Sequence, residues 1–380
     1  MKIEPFGLER WMTTYETHAK CDIAESGILP LSTDELLSLL PAGERDAALD
    51  HLLHLHLGYS EARGSAELRR LLAETYVGCD PDMILVTTGA IEANFLLFNI
   101  LLAAGDHVIA PYPAYQQLYS VPRALGCDVS LWKVGPDSDY RYDVQALEKL
   151  LTPKTRLIVV NTPHNPSGAM LAEEDLRRVH ALAESLRAMV LCDEAYRWLT
   201  IPGGASLAPP IFNLGPRGIS VGTVSKPFGL PGLRIGWIAA PREIVAACWE
   251  MRDYVSLSPG KLNDALACLA IRHREKIIER NAGIIEPNLS RMRAWIAGHE
   301  GLLSWREPRG GLLALLRYEL DIPSLELANR LAEEYSVMLA PGSVFGYEHH
   351  LRIGMGQRPS VFSEGLDRTS ACFAALTASA

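Results

Sequence analysis

Long uncharged runs are missing from this sequence: no stretch of about 18 residues lacks a charge or a turn former, which excludes an ordinary membrane-spanning helix. The start, Met1-Lys2-Ile3-Glu4-Pro5, has no basic segment followed by an apolar core of signal-peptide length. A soluble, cytoplasmic protein with no membrane partner is therefore expected. Paired cysteine motifs are also absent. The seven cysteines (Cys21, Cys79, Cys127, Cys192, Cys248, Cys268, Cys372) are scattered, odd in number and never spaced C-x-x-C, so neither a disulfide framework nor a bound metal is indicated. Most of them read as small buried apolar residues. Positive charge is in deficit, with 36 Lys and Arg against 45 Asp and Glu and a net charge of −9. Nucleic acid, which demands a clustered basic surface, is a poor partner for such a chain. No internal repeat, low-complexity tract or Ser/Gly linker divides it, so its domains are expected to be interwoven.

What is present is an alternation. The 380 residues, 48% hydrophobic and 21% charged, suffice for one large α/β domain and a smaller one. Short β-branched runs recur at Ile84–Thr87, His107–Ala110, Leu157–Val160, Met189–Cys192, Ile219–Gly222 and Ile235–Ile238, each reading as a strand buried on both faces. Helical periodicity fills the intervals, over Glu92–Ala104, Val144–Leu151 and Glu173–Arg187. That pattern predicts an α/β fold with a mainly parallel, doubly wound sheet. From Ile271 a long charged helix through Arg293 and then Gly310–Leu315 and Leu325–Glu334 read as a smaller α+β domain. The predicted division is residues 1–45 as an N-terminal segment of the small domain covering the site, 46–270 as the large domain, and 271–380 as the small C-terminal domain.

In such a sheet, ligands bind beyond the carboxyl ends of the strands, so the polar residues following each run are the candidates. Thr87-Thr88-Gly89-Ala90-Ile91-Glu92 reads as strand, glycine turn and helix start, whose free N–H groups suit a phosphate, although an ordinary βα turn has the same look. Asn161-Thr162-Pro163-His164-Asn165-Pro166-Ser167-Gly168 is turn-rich, and Asn165 is a candidate to hold a ligand oxygen. Asp193-Glu194-Ala195-Tyr196 follows an apolar strand, and no G-x-x-x-x-G-K-[ST] occurs that would make Asp193 a magnesium ligand of a nucleotide site. Thr223-Val224-Ser225-Lys226 sets a lysine beside hydroxyls, with Arg234 eight residues on. In a cleft such a lysine can form a Schiff base, whereas a lone loop lysine is normally solvated.

In this order, the four motifs resemble those of the fold type I pyridoxal-phosphate enzymes, specifically the class I/II aminotransferase superfamily, over about Gly58 to Gly354. The resemblance implies pyridoxal 5'-phosphate as cofactor and a free amino acid as substrate. It implies Lys226 as the lysine that holds the cofactor aldehyde and then moves the Cα proton. Asp193 would pair with the pyridinium nitrogen, so that the carbanion formed at Cα spreads into the ring. Asn165 and Tyr196 would bond the phenolic oxygen, and Tyr112 would stack on the ring. The phosphate would lie against Gly89, Ala90, Ile91, Thr223, Ser225 and Arg234, the last in a two-bond fork. Tyr59 matches a residue that reaches the phosphate of a neighbouring subunit, which implies a homodimer with shared sites. Arg352, in Leu351-Arg352-Ile353-Gly354, matches the arginine that clamps the substrate carboxylate.

The N-terminal stretch departs from the superfamily's usual Gly-x-Pro pattern. Leu8 to Glu16 and then Cys21 to Ile28 look like the start of the subgroup of capreomycidine synthase and a canavanine γ-lyase, which act on arginine-like amino acids at Cβ and Cγ. Glu9, Glu16, Asp22 and Glu25 are the carboxylates available for a guanidinium, with Glu9 and Glu25 the first candidates, although such acids also serve as helix caps or solvated faces. The reaction expected is elimination, replacement or cyclisation at Cβ or Cγ of a guanidino amino acid; the alternative is amine transfer to a 2-oxo acid. Regulators that reuse this fold carry an extra DNA-binding domain, for which the motifs start too early. His51, His54 and His56 lack the partners of a metal site and read as a packed helix end, and Cys192 as core packing.

Overall fold

The computed structural model describes residues 2–201 and 203–378. Its strands in chain order are β1 (Cys21–Asp22), β2 (Ile84–Thr87), β3 (His107–Tyr112), β4 (Asp128–Lys133), β5 (Thr155–Asn161), β6 (Met189–Asp193), β7 (Gly218–Thr223) and β8 (Gly236–Ala239), then β9 (Leu303–Trp305), β10 (Leu313–Tyr318), β11 (Val337–Met338), β12 (Ala340–Pro341) and β13 (His350–Gly354). Seven of them form one sheet in the order β2-β8-β7-β6-β5-β3-β4. All neighbours in it are parallel except at β8, which runs against both β2 and β7. This is the α/β fold expected, with one reversed strand.

Each β-branched run became a strand because both faces of the sheet are covered. Leu157, Val159 and Leu191 pack on one side with Leu96 and Phe98 of the helix Gly89–Leu101. Ile158, Val160 and Val190 pack on the other with Leu176 and Val179 of the helix Glu173–Ser185. β4 went unread in the sequence, since this edge strand is half-open and only Trp132 in it is fully buried. The long helix predicted from Ile271 through Arg293 is the helix Arg274–Ala297, set off from the preceding helix Lys261–Arg272 where His273 leaves helical geometry at φ −104°, ψ 23°.

The smaller sheet, β12-β13-β10-β9, is antiparallel and carries Arg352 near its centre. The N-terminal segment joins it. β1 pairs in parallel with β11, Cys21 opposite Val337, and the N–H of Gly354 donates to the Ile23 carbonyl at 2.8 Å. Ahead of β1, the helix Gly7–Tyr15 buries Leu8, Trp11 and Met12, spaced three and one residues apart on one face. Burial of side chains this size stabilises the docking by roughly 1.5–3 kcal/mol each. Trp11 Nε1 also donates to Asn329 Oδ1 at 2.9 Å, and Gln116 Oε1 accepts from the Gly7 N–H at 3.0 Å. The helix thus bridges the two parts of the chain across the mouth of a cavity. Among the described residues no helix is long and apolar enough to cross a membrane.

Candidate active site

Three polar residues end adjacent strands. Asn161 closes β5, Asp193 closes β6 directly opposite it in register, and Thr223 closes β7. Asp193 is fixed from two sides: Oδ2 accepts from Asn94 Nδ2 at 2.9 Å and Oδ1 from the Ala195 N–H at 3.0 Å. Burial pushes its carboxyl above the usual range, opposed by these two hydrogen bonds. Asn161 ties the neighbourhood together. Its Nδ2 donates to the Asp193 carbonyl at 3.0 Å, and its Oδ1 accepts from the Asn165 N–H at 2.8 Å.

Beyond β2 the chain turns at Gly89, φ +77°, into the helix Gly89–Leu101, whose N-cap residue Thr88 makes no side-chain cap bond. The N–H groups of Ala90 and Ile91 in its first turn therefore lack intrahelical partners. Facing them, Ser225 Oγ lies 3.0 Å from Thr223 Oγ1 and accepts from Arg234 Nη1 at 3.4 Å. A Cβ on Gly89 would stand 2.6 Å from Arg234 Nη2, so glycine is what lets the guanidinium lie over the turn. Backbone donors, two hydroxyls and an arginine thus converge as a cradle for a dianion.

Lys226 follows this cradle. Its Nζ donates to Ser26 Oγ at 2.8 Å and to Glu25 Oε1 at 3.2 Å. Burial works against the ammonium charge, but Glu25 and Tyr196 outweigh it, so Lys226 is held above its ordinary value. Glu25 is correspondingly held below the usual carboxylate range, chiefly by Lys226. Tyr196 hydrogen-bonds Ser26 as well. Arg352 enters from β13 with 1% of its surface accessible, donating to Asn165 Oδ1 at 3.2 Å and to the Ala24 carbonyl at 2.7 Å. Its Nε is buried without a partner. Such a donor is costly unless something else fills the site.

Of the residues singled out in the sequence, Glu9, Glu25, Ala90, Ile91, Asn165, Asp193, Tyr196, Thr223, Ser225, Lys226, Arg234 and Arg352 all line one cavity of about 400 Å³, and Gly89 underlies it. Glu16 lines it too. Others are not brought there. Tyr112 turns away to pack on Tyr119 and Tyr347 beneath Lys133, and Tyr115, three residues on, takes its place on the wall. Asp22 spends its Oδ1 on the N–H groups of Ala24 and Glu25, both at 3.0 Å, and so serves as a turn cap instead of a pocket carboxylate. Tyr59 is 86% exposed on the surface. The predicted packing of His51, His54 and His56 is corrected: all three are exposed, as are Leu53 and Leu57, while Leu52 turns to the core side of the helix Ala42–Leu53. Sequence reasoning missed Asn94 and Tyr115, whose signals were only a helix-interior amide and a second tyrosine in Pro111–Tyr115.

Pyridoxal phosphate fits these residues. The cradle matches its phosphate, the isolated buried carboxyl of Asp193 matches a protonated ring nitrogen, and the amine of Lys226 matches its aldehyde. The unpartnered Arg352 Nε is what a bound carboxylate would satisfy.

Comparison with known proteins agrees. The profile of the family described as aminotransferase class I and II matches residues 27–368. Capreomycidine synthase of Streptomyces vinaceus is 33% identical over 347 residues, covering 91% of this chain and 88% of its own length. An arginine–pyruvate transaminase of Pseudomonas aeruginosa is 27% identical, covering 97% and 96%. A pyridoxal-phosphate-dependent aminotransferase from Streptococcus suis superposes with a TM-score of 0.93 at 33% identity over 99% of both chains. The pyridoxal-phosphate-dependent cyclase OrfR superposes with a TM-score of 0.89 at 34% identity, covering 100% of this chain and 99% of its own.

Proposed function

Because the chain belongs to the class I and II aminotransferase family of pyridoxal-phosphate enzymes, we propose that it acts on a guanidino-bearing free amino acid, eliminating, replacing or cyclising at Cβ or Cγ. The observation that carries this reading is the set of carboxylates on the cavity wall: Glu9, Glu16 and Glu25 share the pocket with Arg352 and Lys226. A substrate that carries both a carboxylate and a planar cation matches a wall that offers an arginine and carboxylates, since carboxylates recognise a guanidinium through paired bonds. The names of two relatives, a capreomycidine synthase and an arginine–pyruvate transaminase, support the same substrate class.

In this reading Asp193, Asn165, Tyr196, Thr223, Ser225, Arg234 and the N–H groups of Ala90 and Ile91 hold the cofactor, with Tyr59 serving the site of a second copy. When bound, the cofactor withdraws the electron pair left at the substrate Cα. Arg352 fixes the substrate carboxylate and thereby the direction of the Cα–H bond. Lys226 removes that proton. Glu9, whose Oε1 accepts from the Tyr115 hydroxyl at 3.1 Å, and Glu16 hold the guanidinium under the helix Gly7–Tyr15, which excludes water from the reacting carbons.

Incubation of the holoenzyme with arginine, hydroxyarginine and canavanine, without any 2-oxo acid, tests this by mass spectrometry. Many turnovers to an eliminated or cyclised product are expected from hydroxyarginine or canavanine, which carry a departing group at Cβ or Cγ, and none from arginine, which carries neither. The second reading, amine transfer, is favoured by the likeness to the transaminase across 97% of the chain. It predicts a single turnover that only a 2-oxo acid restarts, and that result overturns the elimination reading.

A further inference from the structure

Glu25 faces a cation that belongs to the protein itself. Its Oε1 lies 3.2 Å from Lys226 Nζ, and the same oxygen accepts from the Gly27 N–H at 2.7 Å. The backbone around it is equally constrained. Its N–H is capped by Asp22 Oδ1, and its carbonyl lies where a Cβ on Gly354 would come within 2.1 Å. Gly27 leaves no slack either, since a Cβ there would stand 3.2 Å from Glu25 Oε1 and 3.5 Å from Lys226 Cδ. The carboxylate is therefore preset against the lysine. Ser26 Oγ adds a second acceptor at 2.8 Å.

We propose that Glu25, assisted by Ser26, sets the reaction specificity of the site by retaining on Lys226 the proton taken from the substrate. The inference rests on the elimination reading above. In either reaction the Cα–H bond breaks, an N–H bond forms on the Lys226 amine, and the electron pair stays with the substrate. Amine transfer requires Lys226 to give that proton back one position along. Elimination at Cβ does not: the pair becomes the Cα–Cβ double bond, the bond from Cβ to the departing group X breaks with its electrons on X, and X is protonated from solvent. A lysine that must return its proton to carbon is best left with a mobile, weakly held ammonium. Here two acceptors aim the ammonium at the segment Glu25–Ser26, and the other groups facing it are the Tyr196 hydroxyl and, repulsively, Arg352. Holding the proton favours expulsion of X over its return.

The test compares the wild-type holoenzyme with Glu25→Gln and Glu25→Asp on β-hydroxyarginine, whose Cβ hydroxyl is the departing group X, without a 2-oxo acid. The readout is the ratio of eliminated product to aminated cofactor formed per Cα proton released. Glu25→Gln should lower that ratio by about tenfold or more, and Glu25→Asp should recover part of it. Independently of turnover, the pH midpoint of the visible absorbance of the lysine-bound cofactor should fall by about one pH unit or more in Glu25→Gln, because the stabilising anion is gone. Ser26→Ala, the more conservative change, should move both readouts the same way by less, which keeps the test open if Glu25→Gln fails to fold. An unchanged ratio together with an unmoved midpoint overturns the role of Glu25 and leaves the elimination reading standing. A wild-type enzyme that only transfers amine overturns both.

Discussion

Replacing Asp193 by asparagine should separate the charge of this residue from its shape. Asp193 accepts two hydrogen bonds, from Asn94 Nδ2 and from the Ala195 N–H. An asparagine at 193 keeps one acceptor for Ala195 and turns its NH₂ toward Asn94. The clash this creates is removable, because Asn94 Oδ1 is buried and unpartnered, and rotating the Asn94 amide presents it as an acceptor. Asp193→Asn should then cost the apoprotein no more than about 1 kcal/mol. Asp193→Ala leaves the buried Asn94 amide and the part-buried Ala195 N–H unmet, each worth roughly 1–3 kcal/mol, and should cost about 2–6 kcal/mol. Catalysis should respond differently. Breaking a buried pair between carboxylate and ring cation costs about 3 kcal/mol or more, a fall of over about a hundredfold in kcat/KM for both variants. Urea unfolding of the apoproteins and steady-state kinetics of the holoenzymes give the two numbers. If Asp193→Asn unfolds as easily as Asp193→Ala, the reorientation of Asn94 is wrong; if it keeps kcat/KM within tenfold of wild type, Asp193 does not face the cofactor nitrogen.

Arg352→Lys removes the forked donor while keeping the charge, and should reduce kcat/KM by about a hundredfold, mostly through KM, with cofactor affinity within a few fold; loss of cofactor binding instead would put Arg352 on the wrong ligand. Gly89→Ala drives a methyl into Arg234 at a positive φ, and equilibrium dialysis should show cofactor affinity weakened by about tenfold or more, while the apoprotein loses about 1–2 kcal/mol of stability to the strained backbone. Asp22 is raised to about 6 by burial and by the neighbouring Glu25. A carboxyl raised on folding favours the folded state below its unfolded value near 4, and that contribution is lost as pH rises through about 6. Asp22→Asn, which retains the acceptor for Ala24 and Glu25, should therefore be more stable than wild type by roughly 1–3 kcal/mol at pH 8 and no more stable at pH 4, as read from denaturation midpoints.

The parallel sheet was legible because strands sealed on both faces must be apolar throughout, as in Leu157–Val160 and Val190–Cys192. β4 was not, because an edge strand can leave residues such as Asp128 and Lys133 in water. The polar residues that line the cavity were legible as well, since polar side chains directly after buried strands have little else to do at that end of the sheet. What stayed hidden depends on side-chain direction or on distant parts of the chain. Tyr112 and Tyr115 differ only in which way the backbone turns each ring, and nothing in Pro111–Tyr115 announces that. The contact of Glu25 with Lys226 spans 201 residues, and an acid among several in an N-terminal stretch carries no mark of the lysine it meets. Asn94 lies inside a helix, where an amide ordinarily signals only an interrupted apolar face.

The pairing of β1 with β11 also bears on how the enzyme is made. A cavity walled by both Leu8 and Arg352 is complete only after the chain has left the ribosome through Arg352. The large sheet, spanning Ile84 to Ala239, can assemble earlier, with Lys226 and the phosphate cradle already in it. A nascent chain stalled before Val337 lacks the strand against which Cys21 docks, and so has no fixed Glu25, no Arg352 and no cover. Until then Lys226 and the cradle form only an open half-site. Formation of β11 through β13 is thus the event that adds Arg352 and the cover to the half-site.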